Sequence, residues 1–295
     1  MKYGAIDIGT NAARLLIGRI VEGSEGPYLN KISYTRIPLQ LGKDVFDKGE
    51  ISKQKIKNFI NSIKAFKIIA DIHECKKLRV VATSAMRESK NAGLIIDNIH
   101  EQTGVKIEVI SGDEEARTIL KAFELIEFNK EDPFIIIDVG GGSTEISIFE
   151  NGNKKSSKSF KIGTLRLINK KVKENCWDKI QEWILENIQT DHTYKIFGTG
   201  GNINKIHKIL EGKQMVALQK ESIVALKNKL ESMSNLERMH HYSIKPDRTD
   251  VIIPAMDIFL FILNQLNANS ITVPKIGLSD GIIYKLHLSD KLTTE

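Results

Sequence analysis

Two stretches of this sequence repeat one pattern 131 positions apart: DIGTNAARLLIG, starting at Asp7, and DVGGGSTEISIF, starting at Asp138. Laid on each other without gaps, Asp7 meets Asp138, Gly9 meets Gly140 and Arg14 meets Glu145. A period that long is no solenoid, whose repeats run ~20–50 residues, and it points to a duplicated domain. Each copy is an apolar run, a turn of small residues and a second apolar run, which is the pattern of a strand-turn-strand hairpin. A duplication of this kind is expected to create a cleft between two similar lobes, with one hairpin facing it from each side.

Hydrophobic periodicity extends the correspondence along both halves. In the first, Tyr3 to Asp7 and Leu15 to Val21 read as strands, Tyr28 to Leu41 has room for a third, and Ser52 can cap a helix with an apolar stripe at Ile56, Phe59, Ile60, Ile63 and Phe66. Strand Leu78 to Ala82, helix Ala92 to Gln102 stopped by Gly104, strand Val105 to Ile110 and helix Glu114 to Leu125 follow. In the second half, strands Phe134 to Val139 and Glu145 to Phe149 flank GGGST, and a third lies near Lys155 to Ile162. Helix Trp177 to Ile188, strand Lys195 to Phe197, a helix at Ile203 to Leu210 capped by Asn202, helices around Ile223 to Met233 and Ile252 to Leu266, strand Ile271 to Val273 and a closing helix near Ile282 to Leu288 complete it. The order βββαβαβα predicts an α/β protein of two lobes, residues 1–130 and 131–295, with the seam beside Pro133. The closing helix counts with the second lobe or folds back on the first.

Composition narrows the function classes. The chain has 295 residues, 41% apolar and 27% charged, enough for about two domains of ~150 residues and unlike a disordered or fibrous chain. Its two cysteines, Cys75 and Cys176, form no CxxC, so neither a disulfide framework nor a thiolate zinc site is written here, and a reducing cytoplasm fits. Asp7 and Arg14 interrupt the N-terminal apolar residues, which is unlike a signal peptide. The later run Val251 to Leu263 is broken by Pro254 and Asp257 and is shorter than the ~20 residues of a membrane span. A net charge of +6 attracts anions and also fits a lysine-rich solvated surface. With 6% aromatics and no long single-sign block, a stacking platform for nucleic acid is not expected.

The turns suggest the ligand. Small residues leave successive backbone N–H groups unobstructed, and several pointing into one concavity hold phosphate oxygens. A tight hairpin explains DIGTN by itself; the matched pair favours two anion nests gripping one phosphate chain. Asp7 and Asp138, ending the strand before each turn, put carboxylates beside those phosphates, which calls for a hard cation such as Mg²⁺. Glu145 can add a second oxygen, whereas its counterpart Arg14 suits a phosphate. Arg87, beyond the strand ending ATSAM, is a candidate phosphate clamp. In EVISGDEEARTILKAF, Ser111 or Asp113 can cap a helix whose first turn holds Glu114 and Glu115. Helix electrostatics alone explain the pair, and a carboxylate there also suits a base for water. No GxGxxG, GxxxxGK[ST] or HExxH is present, and the adjacent His240 and His241 read as loop residues.

Taken together, AIDIGTNAARLLI, VVATSAMR, VISGDEEAR, IIDVGGGSTEISI, FGTGGNI and KPDRTDVI, in that order, resemble the exopolyphosphatase and guanosine pentaphosphate phosphatase family. That family lies within the sugar kinase, Hsp70 and actin superfamily of two ribonuclease H-like lobes. The resemblance implies Glu115 as general base, Asp138 and Glu145 with help from Asp7 as Mg²⁺ ligands, and Gly9, Thr10, Asn11, Gly141, Gly142 and Ser143 as phosphate cradles. It places Arg14, Arg87 and, less directly, Arg248 facing phosphates. It implies release of terminal orthophosphate from inorganic polyphosphate, with guanosine pentaphosphate as the rival substrate and a homodimer as a further expectation. A non-hydrolytic polyphosphate or alarmone sensor and an ATPase or sugar kinase are the other classes the superfamily offers. GLSDG stands where relatives show an ALREG-like segment, which leaves the surroundings of Ser279 and Asp280 open. The resemblance is to the short form, without additional C-terminal domains.

Overall fold

A computed structural model describes residues 1–24, 26–189 and 192–292. The chain divides into two compact units, Met1–Glu127 with Ile276–Glu295, and Phe128–Lys275. The seam thus falls three residues before the expected one, and the closing helix belongs to the first unit.

In the first unit the elements are β1 (Tyr3–Ile8), β2 (Ala13–Gly23), β3 (Gly26–Ile37), α1 (Leu41–Lys48), α2 (Lys53–Ile72), β4 (Lys77–Ala82), α3 (Ser84–Glu88), α4 (Ala92–Thr103), β5 (Glu108–Val109) and α5 (Gly112–Ala122). The sheet order is β3-β2-β1-β4-β5, with β1, β4 and β5 parallel and β2 and β3 antiparallel. All six residues of β1 are buried, as a central strand covered on both faces requires. The second unit holds β6 (Phe134–Val139), β7 (Thr144–Glu150), β8 (Asn153–Phe160), α6 (Thr164–Ile168), α7 (Cys176–Asn187), β9 (Lys195–Thr199), α8 (Gly201–Ile209), β10 (Ala217–Gln219), α9 (Lys220–Glu231), α10 (Asn235–Tyr242), α11 (Ile252–Gln265) and β11 (Ser270–Thr272). Its order β10-β11-β9-β6-β7-β8 repeats the five-stranded plan and adds β10 at the edge, antiparallel to β11. Both units therefore share one strand plan, as the repeated order predicted, and it is the ribonuclease H-like arrangement that the family resemblance implied.

Several elements differ from the sequence expectation. The third strand stops at Ile37, because Gly42 and Gln40 turn their amides to the β1–β2 loop and start α1 there. The strand expected at Val105 to Ile110 pairs only over Glu108–Val109. Asn202 lies inside α8, whose N-cap is Gly200. His240 and His241 occupy the last turn of α10, a helix fixed by a capping box in which Ser234 Oγ accepts from the Glu237 amide and Glu237 from the Ser234 amide. Among the described residues no helix is long and apolar enough to cross a membrane.

The last helix, α12 (Leu278–Leu292), packs on α5, β1 and β2. Its contact with α5 is backbone to backbone: a Cβ on Gly281 would stand 1.8 Å from Thr118 O, so only glycine fits. This is the GLSDG segment. Buried Asp280 accepts from the Gly277 amide at 3.0 Å and pairs with Lys31 Nζ at 2.5 Å. Burial pushes its carboxyl up, against the pull of Lys31. At the other end Asp290 receives Lys77, Lys76 at 2.9 Å and the Tyr3 hydroxyl at 2.9 Å. Those donors, Lys77 first, hold the Asp290 carboxyl well below the usual carboxylate range, while burial and Asp290 push the Tyr3 hydroxyl up to about 12.

A carboxyl lowered on folding stabilises above its unfolded pKa, ~3.9, and loses that contribution as pH falls through the folded value. Asp290→Asn should therefore melt below the wild type at pH 7, with the gap narrowing from about pH 4 downward. A gap equal at pH 7 and pH 2 would contradict this role.

Candidate functional site

The two hairpins have the same register, Asp7 opposite Arg14 and Asp138 opposite Glu145. Each turn is closed by the same hydrogen bond, Gly9 N to Ala12 O and Gly140 N to Ser143 O, both 3.0 Å. The remaining carbonyls are held from the opposite side. Thr10 O accepts from Gly42 N and Asn11 O from Gln40 N, both at 2.9 Å. In the second unit Gly140 O accepts from Thr164 N (3.1 Å), Gly141 O from Leu165 N (2.9 Å) and Gly142 O from Arg166 Nε (2.6 Å). A trans peptide points its N–H opposite to its C=O. Carbonyls drawn to one side therefore leave the amides of Asn11 and Ala12, and those of Gly141, Gly142 and Ser143, on the other side of each turn, the arrangement of an anion nest.

The charged residues beside the loops differ between the units. In the first, Asp7 is buried and its Oδ2 receives Arg14 Nη1 at 2.6 Å, so the carboxylate is already matched by a cation and the guanidinium is oriented beside the loop. In the second, Asp138 and Glu145 face each other in register as two carboxylates, and Ser159 Oγ donates to Glu145 Oε1 at 2.7 Å. Mg²⁺ takes one or two carboxylates with several waters, so this pair fits its donor chemistry. A Cβ on Gly200, at φ +103°, would lie 2.8 Å from Asp138 Oδ1, so glycine keeps the space beside that carboxylate open. Among the described residues no three His, Cys, Asp or Glu side chains gather as a metal cluster.

Ser111 Oγ caps α5 by accepting from the Glu114 amide at 3.1 Å, which settles the choice between Ser111 and Asp113. The first turn so fixed carries Glu115, whose side chain is 14% exposed and 3.4 Å from Arg87 Nη1. Arg87 is anchored by a 2.7 Å bond from the same nitrogen to Ile110 O. Its neighbour Glu114 instead pairs with Arg79 at 3.0 Å. Asp7, next to last in β1, and the 9–12 loop, Arg87 and Glu115, which follow β1, β4 and β5, thus lie at the carboxyl ends of these strands, where open α/β sheets bind ligands. Arg248 lies against the β9–α8 turn and donates to Gly201 O at 2.9 Å.

Sequence reading missed two residues that shape the second loop. Arg166 is 7% exposed and holds Gly142 O; its signal was the start of a helix after the third strand, where the first half has LGK. Gly163, just before α6, touches the loop so closely that a Cβ would lie 2.6 Å from the Gly141 and Gly142 backbone. A cavity of about 620 Å³ in the second unit, lined by Ile135, Tyr194, Lys195 and Asn269 among others, lies at the opposite, amino end of β6 and β9.

A model of the Ppx/GppA phosphatase family matches residues 16–290, and the chain belongs to that family. It is 27% identical over 293 residues to the bifunctional 3-dehydroquinate synthase/phosphatase of Fusobacterium nucleatum, covering 91% of this chain and 44% of the relative. It is 28% identical over 167 residues to exopolyphosphatase 1 of Mycobacterium tuberculosis, covering 57% and 48%. With the guanosine-5'-triphosphate,3'-diphosphate pyrophosphatase of Photobacterium profundum it shares 24% over 303 residues, covering 96% and 59%. The chain spans about half the length of the curated relatives it matches. The fold is that of the exopolyphosphatase from Cytophaga hutchinsonii, with a TM-score of 0.82 at 24% identity over 98% of both chains. An Aquifex aeolicus member of the family gives 0.77 at 23%, also over 98% of both chains.

Gly163→Ala should displace the second loop, cost about 1–3 kcal/mol of stability and weaken tripolyphosphate binding measured by calorimetry. Binding and melting equal to wild type would show that the loop does not depend on that contact.

Proposed function

We propose that this protein is an exopolyphosphatase, releasing terminal orthophosphate from inorganic polyphosphate by base-assisted attack of water. The observation that supports this best is the pair of equivalent turns, one in each unit, whose carbonyls are held by hydrogen bonds and whose amides therefore lie on the opposite side. Such turns suit a ligand with repeating anionic groups and no required base or sugar.

Under this reading, the amides of Asn11, Ala12, Gly141, Gly142 and Ser143 hold non-bridging phosphate oxygens, with Gly9 and Thr10 shaping the first turn. Arg14, oriented by Asp7, and Arg87 donate to phosphate oxygens beside the first turn, and Arg248 serves phosphate in the second unit. Asp138 and Glu145 would hold Mg²⁺, which neutralises phosphate charge during the transfer. Asp7 serves Arg14 before it serves a metal. Glu115 Oε accepts the proton of the attacking water; the new P–O bond forms in line as the bridging P–O bond breaks, and the leaving oxygen stays on the shortened chain. Positioning and charge neutralisation carry most of the acceleration. The free cysteines Cys75 and Cys176 fit a reducing cytoplasm.

Guanosine pentaphosphate is the second reading, supported by the match to the Photobacterium profundum pyrophosphatase across 96% of this chain. It presents the same terminal phosphoanhydride, on a shorter run of phosphates that carries a sugar and base.

Glu115→Gln should lower phosphate release ~10²–10⁴-fold while tripolyphosphate affinity stays within a few-fold. Equal turnover in the variant removes Glu115 as the base. Side by side under identical Mg²⁺, long-chain polyphosphate should be turned over with a higher kcat/KM than guanosine pentaphosphate or ATP. Preference for the guanosine compound selects the second reading. Binding without release marks a sensor, and ADP formation marks an ATPase or kinase.

A further inference from the structure

Three side chains stand side by side on one sheet of the second unit. Asp138 on β6 is in register with Glu145 on β7 and, on its other side, with Thr199 on β9. Lateral neighbours in a pleated sheet project to the same face and lie ~4.8 Å apart, so two carboxylates and a hydroxyl form one row of oxygens. Thr199 is 1% exposed, and among the described residues its Oγ1 has no hydrogen-bond partner. A buried hydroxyl in that condition costs stability and calls for a reason.

The first unit supplies the comparison. Its equivalent row is Arg14, Asp7 and Val81. There the carboxylate is matched by Arg14 at 2.6 Å, and the position corresponding to Thr199 is filled by a buried apolar side chain of nearly the same shape. Valine thus satisfies the packing at this point of the fold. The second unit differs from it in two respects, a glutamate in place of the arginine and a hydroxyl in place of a methyl, and both changes add an oxygen to the row.

We propose that Thr199 Oγ1 is a third protein oxygen for the divalent cation held by Asp138 and Glu145, so that the cation seat is built from the second unit without Asp7. The proposal rests on the assignment of that pair to the metal. Gly200 contributes by leaving open the space beside Asp138 Oδ1 that a Cβ would enter. The cation takes the place of the hydroxyl's missing partner, and the threonine is retained at the expense of apo stability.

The test uses the full chain, with Mn²⁺ as the probe, free Mn²⁺ read by electron paramagnetic resonance, and melting curves with and without the ion. Thr199→Val should melt at or above the wild-type temperature without metal, since it removes a buried unpaired hydroxyl and keeps the shape. Its Mn²⁺ affinity should fall about 10–100-fold, the usual effect of losing a group that supports a metal site. Its metal-induced rise in melting temperature should shrink accordingly. Thr199→Ser should restore binding, and Asp7→Asn should bind Mn²⁺ as the wild type does. Thr199→Ala removes the same oxygen with less bulk and carries the same expectation for Mn²⁺. Wild-type affinity in both Thr199→Val and Thr199→Ala, or an equal loss in Asp7→Asn, overturns the proposal. Phosphate release by the wild type separates the two readings: threonine-dependent Mn²⁺ binding without any release sinks the hydrolase and leaves this inference standing. Release with threonine-independent binding does the reverse.

Discussion

The hydrogen bonds that draw the turn carbonyls of each hairpin into the protein are the constraint on which the site depends. A peptide plane has two polar ends, and fixing one fixes the other. Gly42 and Gln40 in the first unit, and Thr164, Leu165 and Arg166 in the second, engage the carbonyls from the segment that follows the third strand. Helices α1 and α6 thereby set the direction of amides that belong to other elements. Gly163 is part of the same arrangement, because its missing side chain lets α6 begin against the loop.

Duplication produced two such frames, and their side chains then diverged at matching register positions. Arg14 answers to Glu145, and Val81 to Thr199. The first unit became a cation-lined turn with its aspartate neutralised, and the second an oxygen-rich one. The first unit also gained a helix from the far end of the chain. Through Gly281, α12 rests on the α5 backbone at Thr118, one turn beyond Glu115, while Asp280 and Asp290 anchor its two ends. The GLSDG segment that departs from the expected ALREG-like pattern forms this seat, with the carboxylate of Asp280 paired to Lys31.

Elements with strong periodicity or repeated turns were legible in the sequence. The hairpins and the α2 stripe follow from spacing alone, whereas the cap of α5 was legible only as a choice between Ser111 and Asp113. Glu115 and Arg87 were legible as candidates, and the structure brings them within 3.4 Å. What was not legible depends on contacts distant in sequence. Helix α1 starts where the β1–β2 turn demands donors, Arg166 has meaning only beside Gly142 O, and α12 joins the first unit through a backbone approach that no periodicity records. The pairing of Asp7 with Arg14 was hidden for a related reason. The alignment of the two halves emphasised what Asp7 shares with Asp138, whereas its environment is set by the cross-strand neighbour in which the halves differ.

The central claim is that both turns present their amides to one kind of ligand, and backbone hydrogen–deuterium exchange measures those amides directly. On addition of tripolyphosphate with Mg²⁺, exchange should slow at residues 11–12 and at 141–143 in the same titration range. Exchange unchanged at both turns, or slowed at one alone, would contradict the account.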